Sequence, residues 1–83
     1  MAYNNPTSGV GFNVMKGSAT IDSGSTSVVV NLPIIISSYF VVITPTTSVS
    51  ALWWVSNKTA ISFTINIATA SASDITFDYV VIY

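Results

Sequence analysis

Three carboxylates, Asp22, Asp74 and Asp78, and two ammonium groups, Lys16 and Lys58, are all the side-chain charge in this 83-residue chain. Histidine and cysteine are both absent. Their absence removes the usual general base, the commonest metal ligands, any thiolate nucleophile and every Ser-His-Asp arrangement. Two chemistries remain open to the carboxylates, calcium binding and paired acid/base work. A calcium site gathers several oxygen ligands in one compact loop, whereas these three residues are dispersed. Asp74 follows Ser71-Ala72-Ser73 and reads as a turn residue, and Asp78 reads as a polar strand position that bonds locally. A glycosidase-type pair would need a cleft, for which the sequence gives no signal. The expectation is a non-enzymatic protein with no metal and no cofactor.

Recognition chemistry has two candidates, both within "WWVSNKTAISFTI", residues 53–65. Adjacent residues of a strand point to opposite faces, so Trp53 and Trp54 cannot occupy the same core layer. One is expected in the core and the other in a subunit interface, since large aromatics dominate both. Trp54 shares its face with Leu52 and Trp53 shares its face with Ala51 and Val55, so parity leaves open which is which. Asn57-Lys58-Thr59 has the form of an N-glycosylation sequon, but the same residues are ordinary hairpin-turn formers, and the turn is the simpler reading.

The elements that must position these residues are strands. Hydrophobic residues make up 51% of the chain and charged residues 6%, against about a quarter charged in ordinary soluble domains. Ser, Thr, Val and Ile dominate, and all are weak helix formers. The most apolar run, residues 28–43, is broken by Asn31, Pro33 and Ser37-Ser38, which argues against a membrane-spanning helix. The opening residues lack a cationic stretch followed by an apolar core and do not read as a signal peptide. A net charge of −1 offers no basic footprint for a phosphate backbone, so nucleic acid is not expected as a partner. It also supplies little repulsion between copies.

Residues 1–16 carry Asn, Pro, Ser and Gly between isolated apolar positions and read as an extended N-terminal arm, with Tyr3, Val10, Phe12 and Val14 as its candidate contacts. Residues 17–83 read as one β-sandwich domain of about six to seven short strands. Residues 18–21 and 26–31 are expected to pair as a hairpin around the 22–25 turn. Pro33 puts residues 32–38 at an edge or a crossover. Strands follow at 39–44, 50–56, 60–67 and 75–83, with a turn at 57–59. Ile61, Phe63, Ile65 and Ile67 alternate with Ser62, Thr64 and Asn66, giving one dry and one wet face. In the last strand Ile75, Phe77, Tyr79, Val81 and Tyr83 oppose Thr76, Asp78, Val80 and Ile82. That second face begins polar and ends apolar, so the end of the strand should be covered on both sides.

The succession "GSATIDSGSTSVVVNLP", "VVITPTT", "WWVSNKTAISFTINI" and "DITFDYVVIY", spanning roughly residues 17–82, resembles the small β-sandwich modules of phage tail and virion-associated proteins related to the H-type lectin domain. Tyr79 stands where that family often has Trp. The resemblance implies assembly as trimers or larger rings, and a role in virion attachment, decoration or receptor contact.

The expected function is therefore a virion structural protein, a capsid decoration (cement) or tail-associated subunit on the virion surface. It would work through homo-oligomeric contacts, trimeric or higher, with the major capsid or tail protein as a further candidate partner. Outward apolar residues would meet the neighbour: one of Trp53 and Trp54, together with Tyr79, Val80, Ile82 and Tyr83. Two alternatives stand beside it, an extracellular filament subunit that exchanges its N-terminal strand and a lectin-like glycan-binding module.

Overall fold

A computed structural model describes residues 13–83, which form six strands and no helix. They are β1 (Val14–Ile21), β2 (Ser27–Asn31), β3 (Phe40–Pro45), β4 (Trp53–Ser56), β5 (Ser62–Ile67) and β6 (Ile75–Ile82). Two antiparallel three-stranded sheets result, one ordered β1-β6-β3 and the other β2-β5-β4. The chain is all-β, as its composition and alternation imply.

The two central strands are the two with the clearest alternation. On β5 the side chains of Phe63, Ile65 and Ile67 point inward, and on β6 those of Ile75, Phe77 and Val81; none of the six is more than 6% exposed. β5 and β6 are each flanked by a strand on both sides and faced by the opposite sheet, so their inward apolar surface is removed from water. Phe63 of β5 meets Tyr79 of β6 edge-on, with ring centroids 5.5 Å apart and planes at 80°, which ties the two sheets together at the middle. Edge strands contribute half-buried residues: Met15 and Ala19 from β1, Val28 from β2, Val41 and Ile43 from β3, and Val55 from β4.

Pairing departs from the expected order at one place. β1 and β2 do not form a hairpin: β1 pairs with β6 from Val14↔Ile82 to Ile21↔Ile75, and β2 pairs with β5 from Ser27↔Asn66 to Asn31↔Ser62. Residues 22–26 instead carry the chain from one sheet to the other. Gly24 sits there at φ +82°, and its N–H donates to the Ser71 carbonyl 2.8 Å away. The Ser23 N–H donates to the Asp74 carboxylate at 2.8 Å. These bonds tie the crossover to the β5–β6 loop, satisfying amides that a two-stranded turn would have paired internally. Residues 32–39 are likewise a crossover between sheets, in keeping with Pro33.

Strand boundaries also shift, most of all in β1, β4 and β5. β1 begins at Val14, so Val14, Met15 and Lys16 belong to the sheet rather than to the arm, and Asn13 already exchanges two backbone bonds with Tyr83, of 2.8 and 3.0 Å. β4 is only four residues long, a short edge of the kind that discourages uncontrolled pairing. β5 begins at Ser62, which leaves Ile61 outside the apolar row and 57% exposed. The Thr59 hydroxyl accepts from the Ile61 and Ser62 N–H groups at 3.3 and 3.1 Å, and this local turn delays the strand.

No helix among the described residues is long and apolar enough to cross a membrane.

Candidate functional site: an outward apolar face

The outer surface of the β1-β6-β3 sheet is built in rows set by the strand register. The first row across the sheet is Val14, Ile82 and Phe40, and the second is Lys16, Val80 and Val42. The third is Ser18, Asp78 and Thr44, and beyond it Thr20 lies opposite Thr76. The face is therefore apolar at the end where β1 begins and polar at the other. In the polar half the side chains bond to one another: Ser18 Oγ donates to Asp78 Oδ1 at 2.7 Å, and the Thr20 and Thr76 hydroxyls are 2.9 Å apart.

In the apolar half the edge-strand side chains are uncovered among the described residues. Phe40 is 73% exposed, Val14 57% and Val42 53%, while Val80 and Ile82 on the central strand are half-buried only by these lateral neighbours. The end of β6 was expected to be covered on both sides. Among the described residues β1 and β3 flank β6 with no further layer above its outer face.

Loops at the same end add to the apolar surface. Ile34 and Ile35 of the β2–β3 crossover are 46% and 79% exposed, beside Ile61. The crossover is fixed to the β4–β5 loop by Leu32 N–H to Ile61 O at 2.8 Å and Ile36 N–H to Ala60 O at 2.9 Å. Tyr39 anchors both: its buried hydroxyl lies 2.7 Å from the Thr59 carbonyl and 2.9 Å from that of Ser62. Burial pushes this phenol's pKa up from its ordinary value, because the phenolate would lose its hydration. Lys58 Nζ donates to the Tyr39 carbonyl at 2.6 Å and stands 5.0 Å from the centre of its ring. Asn57 takes the left-handed conformation, φ +49°, which Asn tolerates better than most residues. Asn57-Lys58-Thr59 thus performs a complete structural task as a loop.

The tryptophans separate as strand geometry requires, and the register settles their assignment. Trp53 pairs with Ile67 and lies on the inner face, its ring 6.1 Å from that of Phe77. Trp54 pairs with Asn66 on the outer face. Trp53 remains 41% exposed because β4 is an edge, and Trp54 is 47% exposed. Around Trp54 the outer face of this second sheet is mostly polar. Thr64 is buried at 8%, and Asn66 Nδ2 donates to Ser56 Oγ at 2.8 Å. The expected wet face of β5 is accordingly half-dry, because a central strand's outward residues are crowded by both neighbours.

Of the other sequence-derived contact residues, Val80 and Ile82 lie in the outward apolar rows with Val14. Tyr79 and Tyr83 share the inner side of β6 with Val81 and are packed against the core. The Tyr79 ring lies directly over Gly17, its partner across the β1–β6 pair. Tyr3, Val10 and Phe12 lie outside the described residues. Phe40 and Val42 lie in the strand expected at 39–44. Alternation there is apolar on both faces, so nothing local marks the outward pair.

At the opposite end a cleft of about 260 Å³ lies between the β3–β4 and β5–β6 loops, lined by residues such as Ser48, Ser50, Thr69 and Ser71, none of them charged. Asp74 and Asp78 are held by separate hydrogen bonds, and no three acidic side chains gather among the described residues. No family model, curated protein or solved structure matches the chain.

Proposed function

We propose that this protein is a non-enzymatic structural subunit that works by assembling with copies of itself, as a capsid decoration or tail-associated component of a virion surface. The observation that carries the assembly reading is the outward apolar half-face of Val14, Phe40, Val42, Val80 and Ile82. Such a patch, set on a domain with 6% charged residues, favours contact with another surface over exposure to water. The virion setting rests on the sequence motifs alone.

Native mass spectrometry of the purified chain, with and without the paired substitution Phe40→Ser and Val42→Ser, tests the assembly. Burying these two side chains from their present exposures is worth about 3 kcal/mol per subunit, on a scale of 1.5–3 kcal/mol for a full side chain. The double variant should therefore associate about 100-fold more weakly. A wild-type chain that stays monomeric at tens of micromolar would refute the reading. Electron microscopy of native particles then tests the virion setting.

A further inference from the structure

We infer that the outward apolar half-face of the β1-β6-β3 sheet is the receptor for residues 1–12 of a second copy of this chain. The inference rests on the homo-oligomeric reading above and names the contact that would hold the oligomer. Residues 1–12 contain no charged side chain, and Met1, Tyr3, Val10 and Phe12 are their large apolar groups. Val10, Phe12 and Val14 alternate with Gly9, Gly11 and Asn13. In extended form that spacing puts the apolar side chains on one side and small or polar groups on the other. A ribbon of this kind matches a receptor that is itself one apolar strip, two rows deep, bounded by Lys16 on one side and by the Asp78 row below.

Geometry favours a second copy over the chain's own face. Asn13 is locked in the ladder opposite Tyr83 by bonds in both directions, so β1 starts from a fixed point at the apolar end of the sheet. Covering its own patch would require the segment to turn back on itself within residues 1–12, whereas a neighbour placed beyond that end receives it without a reversal. Reach is sufficient. Twelve extended residues span about 40 Å, and an eight-residue strand such as β1 about 27 Å.

Because the chain has no cysteine, single engineered thiols report the contact without interference. Ser8→Cys places one on the segment. Lys16→Cys and Thr44→Cys place one on either flank of the apolar rows, leaving every apolar residue intact. Ser48→Cys, exposed at the opposite end, is the control. Equimolar mixtures of full-length single variants are treated with a short bis-maleimide and read by intact mass, alongside native mass spectrometry of the unmodified chain. A docked segment sees its receptor at millimolar effective concentration, against about 10 µM for free collision. Ser8→Cys should thus couple to Lys16→Cys or Thr44→Cys about 100-fold faster than to Ser48→Cys. Oligomers without that preference would overturn the docking while leaving the assembly standing. Coupling confined to one chain of a Ser8→Cys/Thr44→Cys double variant would overturn it in favour of self-covering. Monomers throughout would overturn both.

Discussion

Gly17 is the position where a single methyl group should cost most for its size. It sits in the middle of β1, opposite Tyr79 of β6, and the tyrosine ring lies across it. A Cβ built at residue 17 would fall 2.6 Å from Tyr79 Cζ, 3.1 Å from Cε2 and closer still to the hydroxyl oxygen. Ordinary contacts begin near 3.4 Å, so the ring must retreat by most of an ångström. On its other side the ring packs edge-on against Phe63, which is completely buried. Overpacking of this kind costs about 1–3 kcal/mol, offset by the 0.5–1 kcal/mol or so that alanine gains over glycine in a strand. Gly17→Ala should therefore lose about 0.5–2 kcal/mol net, or roughly 2–16 °C in Tm for a domain of this size. The decisive measurement is a double-mutant cycle by urea denaturation. With the ring removed in Tyr79→Ala, the same Gly17→Ala change should become neutral or stabilising, giving a coupling of about 1–3 kcal/mol. Equal effects in the two backgrounds would refute the packing argument.

Three further outcomes follow from the same geometry. Tyr39→Phe removes the hydroxyl that bridges the Thr59 and Ser62 carbonyls and should cost about 1–1.5 kcal/mol by chemical denaturation. That phenol also makes stability pH-dependent. Its folded pKa is raised, so its contribution is intact below the unfolded value near 10 and is lost as pH rises through the folded value. Denaturation series from pH 8 to 11 should show a steeper alkaline decline in the wild type than in Tyr39→Phe, and parallel curves would contradict the assignment. Finally, Trp53→Ala should destabilise the fold by about 1 kcal/mol more than Trp54→Ala, because only Trp53 packs on a core ring. Matching thermal shifts for the two variants would count against the inward assignment of Trp53.

Much of this architecture is visible in the order of residues. The period-two alternation of 63–67 and 75–83 marks the two central strands and their inward residues, because a strand buried on one face must repeat every second position. The separation of Trp53 from Trp54 follows from the same rule. Other features are decided only when the chain is folded. Whether β1 pairs with β2 or with β6 depends on partners 54 to 68 residues apart, and local turn residues at 22–25 favour the wrong answer. Which tryptophan points inward is fixed by the Trp53↔Ile67 register, since both faces of β4 are apolar in sequence. The outward face is of the same kind. Val14, Ile82 and Phe40 come from three segments, each unremarkable alone, and they form one apolar row because β6 is flanked in register by both edge strands. Sequence alone determined that the chain makes strands and that it carries few charges. Tertiary structure decided where the uncovered apolar surface lies, because cross-strand register is a long-range property that no local pattern encodes.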